Sequence, residues 1–430
     1  MKFPNIKPRT IAVFSVLLIF VYFLVKTVTL YWISIFFNVL LIYINSVFLF
    51  AYFEIKDKKE PIPKEWPSVS IIIPNYNNKN LLFKCIEHVK AMAYKGTKEI
   101  IVVDDGSSDG SKELLGKISG IKLILKKKNE GKAAALNDGI ASAKGKVIVT
   151  IDSDTYPNSD CLEKMVPKLK NEVKAVTGFV RAYNVKGIVA RIQEVEYLVS
   201  FGFFQSILSD LNAILVTPGP MSVYDAKTLR EIGGFDVNNI TEDMEIAFRL
   251  REHGAKMIAS IDAHIYTEVP HKIKALFRQR VRWYRGKFFN TVKYSKMLFN
   301  KKYGDFGLFT FPFSVIVEWC IVLFIFIFVA ANVESFLQYF GLVSSFLAVG
   351  NNLSVLTPSV IALNSNFLFY LIGAVFYTIF IYFSHLLAGD KLGIHKLPEI
   401  TLFIIIYGLF ILVVFFFGFF KEINSSEYVW

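Results

Sequence analysis

Charge is withheld from long parts of this chain, and that constrains its architecture more than any other feature. From Thr10 to Phe53 the only charged side chain is Lys26, which divides a shorter apolar run from a longer one, Leu30 to Phe53. Hydrocarbon offers no partners to backbone N–H and C=O groups, so a run of roughly 20 apolar residues crosses a bilayer as a helix. The pair predicts a transmembrane hairpin. A signal peptide fits the first run less well, because no small-residue cleavage site follows it and a second span does. Three further runs, at about Phe306–Ala330, Phe367–Ala388 and Pro398–Phe420, have the length for a crossing. No Lys or Arg falls between Tyr303 and Gly389, whereas Lys2, Lys7, Arg9, Lys56, Lys58, Lys59, Lys391 and Lys396 flank the other ends. By the positive-inside rule those basic ends are cytoplasmic. The expectation is five crossings with the large central region in the cytoplasm. Ser335–Val349 fits a re-entrant or interfacial segment or a sixth span, and a sixth span would bring the C-terminal tail back inside.

Between the hairpin and the later runs the pattern changes. Short β-branched runs at Val69–Ile73, Glu99–Val103, Ile121–Leu125 and Lys146–Ile151 alternate with amphipathic stretches at Leu81–Met92, Ser111–Lys117 and Lys132–Ala143. This is a βαβ series and predicts a largely parallel sheet. Ligands of such sheets bind outside the carboxyl ends of the strands. Polar residues cluster at those ends: Asn75-Tyr76-Asn77, Asp104-Asp105-Gly106 and Asp152-Ser153-Asp154.

Each cluster has an ordinary reading beside a chemical one. Asp104 and Asp105 open a Gly/Ser-rich turn in which they serve as helix caps. Asp152 and Asp154 are alternate carboxylates at a strand end, the hard oxygen ligands that Mg²⁺ or Mn²⁺ takes while leaving room for water and phosphate. Thr241-Glu242-Asp243 follows a tight Gly233-Gly234 turn and opens a helix through Ile246–Leu250. Its acids either complement the helix dipole or supply a general base, and the pattern does not choose between Glu242 and Asp243. Gln279-Arg280-Val281-Arg282-Trp283 sets an amide for hydroxyls, guanidinium forks for phosphate and an indole for a sugar face side by side. The same pentad lies in His271–Lys302, where Phe, Trp and Tyr mix with Lys272, Lys274, Arg278, Arg280, Arg285, Lys287, Lys293 and Lys296. That mixture predicts a basic amphipathic helix on the cytoplasmic membrane surface. Ile188–Leu215, apolar with few charges, is a second candidate for resting on the membrane.

The net charge of +12 is spread over the membrane ends and this one segment, which argues against nucleic acid as a partner and for anionic headgroups or substrates. Cys85, Cys161 and Cys320 lack CxxC spacing, so neither a disulfide framework nor a zinc site is expected. His264 and His271 show no metal-ligand spacing either.

In order, Asp104-Asp105-Gly, Asp152-Ser-Asp154, Thr241-Glu-Asp243 and Gln279-Arg-Val-Arg282-Trp283 resemble the motif series of membrane-embedded family-2 glycosyltransferases of the cellulose, hyaluronan, chitin and poly-N-acetylglucosamine synthase kind. The resemblance spans residues ~66–300 and extends to the flanking spans. It implies an α/β GT-A fold inserted between transmembrane helices, a nucleotide-diphosphate sugar donor (usually UDP-linked), a divalent cation, Mg²⁺ or Mn²⁺, and inversion at the anomeric carbon. Carried over by position, Tyr76, Asp104, Asp105, Lys132 and Asp152 match the nucleotide site, and Asp152 and Asp154 match the metal motif, with Asp154 the direct ligand. Asp243 matches the catalytic base, with Glu242 supporting the acceptor site. Gln279, Arg282, Trp283 and Gly219 match the acceptor and diphosphate end. The implied organisation is a transmembrane hairpin over 1–55, a cytoplasmic transferase domain over 56–270, an interface helix over 271–302 and about three spans over 303–430. Polymer synthesis with export is the expected activity. Single-sugar addition to a lipid or polyprenyl-phosphate acceptor is the alternative, and a nucleotide-sugar sensor without catalysis is a third, weaker one. No motif here specifies donor sugar, linkage, acceptor or oligomeric state.

Overall fold

A computed structural model describes residues 30–54, 65–316, 318–320 and 365–424. The first expected span, the 335–349 segment and the run beyond residue 320 lie outside the described residues.

Strand β1, Val69–Asn75, is buried along its whole length. Apolar residues on both faces are what a strand covered on two sides requires. Its alternate side chains feed two cores. Ile71 and Ile73 pack with Leu82, Cys85, Ile86 and Val89 of the Lys79–Ala91 helix. Ile72 packs with Ala135, Leu136 and Ile140 of the Lys132–Ser142 helix and with Ile246 and Leu250 of the Glu242–Glu252 helix. Helix and sheet approach closely where Gly139 meets Ile72, since a Cβ on Gly139 would stand 2.4 Å from Ile72 Cγ2.

Among the described residues, eight strands form one sheet in the order β3-β2-β1-β4-β7-β6-β8-β5. The strands after β1 are β2 (Lys98–Asp104), β3 (Lys122–Leu125), β4 (Val147–Ile151), β5 (Thr155–Pro157), β6 (Val173–Ala182), β7 (Met221–Asp225) and β8 (Lys256–Thr267). The parallel expectation holds for β3-β2-β1-β4 and again for β6·β8. The β4·β7, β7·β6 and β5·β8 junctions are antiparallel, so the sheet is mixed. Because β7 runs backwards between β4 and β6, the strands on either side of it point the same way. The carboxyl ends of β1, β2, β4, β6 and β8 therefore share one rim, and the loop entering β7 arrives at it. That rim carries the polar clusters.

Apolar helices gather on one side of this unit. The helix Leu30–Glu54 and the helix Ser365–Leu387 pack against the segment Gly187–Asp210, where Phe203 and Ile207 meet Phe380, Phe48 and Tyr52. Ile188–Leu215 thus rests on the apolar helices themselves. By length and composition, one described run, Ile394–Ile423, suffices to cross a bilayer.

The helix Ile273–Lys293 lies along this last run. Its basic residues divide. Lys272, Lys274 and Arg278 are exposed. Arg280, Arg285 and Lys287 turn instead to Glu196, Glu422 and Glu318. Three ion pairs thus tie this helix to the Gly187–Tyr197 helix, to the last apolar run and to Glu318.

Candidate active site

Lys132 stands at the first position of its helix, pointing over the rim. Its ammonium lies 2.5 Å from Asp152 Oδ1 and 2.9 Å from Glu242 Oε1. One cation thus joins the strand β4 cluster to the Thr-Glu-Asp cluster. Gly219 lines the same place: a Cβ there would come within 2.7 Å of Lys132 Nζ and 2.8 Å of Asp152 Oδ2. The absence of a side chain is what lets the Pro218–Pro220 turn close on the pair.

Burial acts on each acid, and its neighbours decide the outcome. Burial alone would raise Glu242, but Lys132, which also hydrogen-bonds it, and Arg282 hold its carboxyl below the usual range. Asp243 is pushed up to about 6 by burial and then by the Glu242 charge, against the pull of Lys132 and Arg282. One Asp243 oxygen accepts from the Met244 N–H at 2.9 Å, and its carbonyl accepts from the Thr217 N–H and hydroxyl. Two adjacent carboxylates with oppositely displaced affinities for a proton are the arrangement expected where one of them takes a proton. Asp154 is likewise raised to about 6 by burial and the nearby Asp152. The hydroxyls of Thr155 and Thr267 stand 3.4 Å from its Oδ1.

The neighbouring acids at the end of β2 separate. Asp104 is fully buried and accepts from Asn75 Nδ2 at 2.9 Å and from the Ser107 N–H at 3.0 Å, which is structural bracing of the turn. Asp105 accepts from the Glu130 and Gly131 N–H groups at 3.1 and 2.8 Å and faces Lys126 at 3.4 Å. It holds the loop that leads into Lys132. Tyr76 is 48% exposed on the same rim.

The pentad spreads round its helix. Arg282 donates weakly to the Ile240 carbonyl, at 3.4 Å, and so borders the Thr-Glu-Asp turn. Trp283 packs beside Val180, Ala182, Tyr197 and Val269. Gln279 accepts a short hydrogen bond from Arg280. Arg280 was assigned no separate role by the motif, yet it is among the most buried side chains. It pairs with Glu196 through two hydrogen bonds of 3.1 and 2.5 Å, reaches the Tyr407 hydroxyl at 3.2 Å, and lies 4.0 Å over the Trp283 ring. Glu196 and Tyr407 escaped the sequence reading, and the one hint was a pair of acids, Glu194 and Glu196, in an otherwise apolar stretch.

Among the described residues no three acidic, His or Cys side chains come together to hold a metal. Two rim carboxylates are what a hard cation completed by water and substrate phosphates asks of the protein, so Asp152 and Asp154 fit Mg²⁺ or Mn²⁺.

The mixed sheet with its acidic rim is the architecture of a GT-A glycosyltransferase. The chain belongs to glycosyltransferase family 2: the family model described as glycosyl transferase family 2 matches residues 70–233. The poly-beta-1,6-N-acetyl-D-glucosamine synthase of Staphylococcus aureus (strain MSSA476) is 30% identical over 283 residues, which cover 60% of this chain and 68% of that protein. The synthase of the same name from Staphylococcus epidermidis is 30% identical over 241 residues, covering 53% and 58%. A solved structure, the mannosyltransferase PcManGT from Pyrobaculum calidifontis in complex with GDP-Man and Mn²⁺, shares the fold at a TM-score of 0.55 over 91% of this chain and 99% of that one, at 17% identity.

Proposed function

We propose that this glycosyltransferase is an inverting, processive polysaccharide synthase of the cytoplasmic membrane face, using UDP-N-acetylglucosamine and extending a polymer that its apolar helices export. The observation that carries this reading is the junction of Lys132, Asp152, Glu242 and Gly219 beside a proton-accepting Asp243. The donor class follows the names of the Staphylococcus relatives. In this reading residues 1–55 form a membrane hairpin, 56–270 the cytoplasmic transferase domain, 271–302 the interface helix and 303–430 the remaining spans, making a multi-pass protein.

Asp243 takes the proton of an acceptor hydroxyl, whose oxygen attacks the anomeric carbon from the face opposite the diphosphate. The new C–O bond forms as the bond to the diphosphate oxygen breaks. The electron pair leaves with UDP and the proton stays on Asp243. A Mg²⁺ or Mn²⁺ at Asp154 and Asp152 would supply positive charge to the leaving diphosphate. Lys132 and Arg282 add fixed cations on the same side, which cost no reorganisation during the reaction. Tyr76 and Asp105 border the nucleobase, Asp104 braces their turn, and Gln279 and Trp283 line the acceptor end. Trp283, packed beside Val180, Ala182, Tyr197 and Val269 at the edge of the transferase domain, offers its ring to the end of a growing chain.

Protein in lipid nanodiscs, given labelled nucleotide sugars with Mg²⁺, Mn²⁺ or EDTA, tests the proposal. It predicts metal-dependent long polymer from UDP-N-acetylglucosamine, and loss of transfer with near-normal UDP binding in Asp243→Asn. One sugar added to extracted lipid would refute processivity, and a near-normal turnover of Asp243→Asn would refute the base.

A further inference from the structure

Thr241 is the residue from which the Glu242–Glu252 helix starts, and its carbonyl accepts from the Met244 and Glu245 N–H groups. A threonine here ordinarily turns its hydroxyl back onto the helix, yet no side-chain capping bond forms. The hydroxyl points the other way. It donates to Asn239 Oδ1 at 3.2 Å and accepts from Asn290 Nδ2 at 3.1 Å. Asn239 closes the ring, accepting from the Thr241 N–H at 3.0 Å and donating to Asn290 Oδ1 at 2.8 Å. Asn290 is fully buried, and Asn239 and Thr241 nearly so. One turn earlier on the same helix, Gly286 presses on the same residue: a Cβ there would stand 2.1 Å from Thr241 Oγ1 and 2.3 Å from its Cγ2.

Two residues of the interface helix, four apart and hence on one face, thus fix one side chain next door to Glu242 and Asp243. An amide that donates on one side and accepts on the other fixes direction as well as distance. A buried ring in which these groups are mutually satisfied is costly to break and defines one geometry.

We propose that Asn290 and Gly286 are positioning residues for transfer: through Thr241 they set the start of the catalytic helix and so the place of Asp243. This rests on Asp243 being the base. A base acts only within hydrogen-bond reach of its proton, and a misplacement of about 1 Å costs on the order of 100-fold. The effect falls on the chemical step, because neither residue borders the nucleotide side of the rim.

The test measures kcat, KM for UDP-N-acetylglucosamine and UDP affinity in nanodiscs for Asn290→Ala, Gly286→Ala, Thr241→Val and Thr241→Ser. Asn290→Ala, Gly286→Ala and Thr241→Val are expected to lose about 10- to 100-fold in kcat with KM and UDP affinity within about threefold of the parent. Thr241→Ser, which keeps the hydroxyl, should retain more activity than the isosteric Thr241→Val. The double variant Asn290→Ala/Thr241→Val should be no worse than the poorer single one, since both cut the same link. Unchanged kcat in Asn290→Ala and Thr241→Val with intact UDP binding would overturn the inference, as would fully multiplicative losses in the double variant. Asp243→Asn, run beside them, separates the two claims. If it is inactive while Asn290→Ala is normal, positioning alone fails; if it turns over normally, the base assignment fails whatever Asn290 does.

Discussion

Replacing Glu242 by Gln tests the electrostatics of the site without changing its shape. Asp243 is raised from 3.8 to about 6. At about 1.4 kcal/mol per unit this is on the order of 3 kcal/mol of disfavour for its charged form. Burial is the largest cause and the Glu242 charge the second, with Asp152 adding in the same sense and Lys132 and Arg282 opposing. Glu242 is thus the largest of the charges that oppose ionisation of Asp243. Glu242→Gln removes that repulsion and relieves Lys132 of one of its two close partners, so the lysine's charge acts more strongly on Asp243. Both changes favour the ionised form of Asp243. The acid limb of the pH dependence of kcat should move down from about 6 toward 3.8, whatever happens to the plateau. The assay is initial rate at saturating UDP-N-acetylglucosamine from about pH 5 to 8. Stability carries a linked sign. Because the folded Asp243 binds its proton more tightly than the unfolded chain does, its contribution to stability falls as pH rises from 3.8 to about 6, and the variant narrows that window. An active Glu242→Gln enzyme whose acid limb stays put or moves upward would refute the reasoning.

Two further substitutions separate site from scaffold. Gly219→Ala places a methyl against the Lys132 and Asp152 side-chain tips, which are mobile enough to yield. Thermal unfolding should change little, while turnover falls about 10- to 100-fold, as read by sugar incorporation. Glu196→Ala strands the buried Arg280 and should cost about 3–5 kcal/mol, seen as a lower unfolding midpoint in detergent, with looser Trp283 packing reported by its fluorescence.

The first half of the sheet was legible because β1, β2 and β4 are apolar on both faces and each ends in a turn rich in Asp, Asn, Ser or Gly. The reversal at β7 was not, since a five-residue strand pairs the same way in sequence whichever direction it runs, and β5 has only three residues. Asp104 and Asp105 show a different limit. Successive residues at a strand end point to opposite sides. One therefore enters the buried Asn75–Ser107 bracing and the other meets the Lys126–Gly131 loop, although the letters are identical. Glu196 was hidden because its partner is 84 residues away, and Tyr407 stands 127 residues from Arg280. No local pattern announces such pairs.

The Gln279–Trp283 pentad raised a choice between membrane anchor and sugar site, and its helix turns two different faces to its neighbours. At about 100° per residue, Gln279, Arg282, Gly286 and Asn290 fall within one quadrant of the Ile273–Lys293 helix. Arg282 and Asn290 of that quadrant touch the Ile240–Thr241 turn, and Gly286 abuts it. Phe277, Val281, Tyr284 and Phe288 occupy the opposite side, where Phe277 meets Phe417, Tyr284 and Phe288 meet Phe415, and Gly418 lets the two helices close on Val281 and Tyr284. Arg280 sits on the seam between the two faces, bound to Glu196 and Tyr407. The pentad is a boundary, so a shift of the last apolar helix that moves Phe277 or Tyr284 must also move Arg282 and Asn290. Contacts with the last apolar run and with the turn that opens the Glu242–Glu252 helix are thus made by opposite faces of one helix.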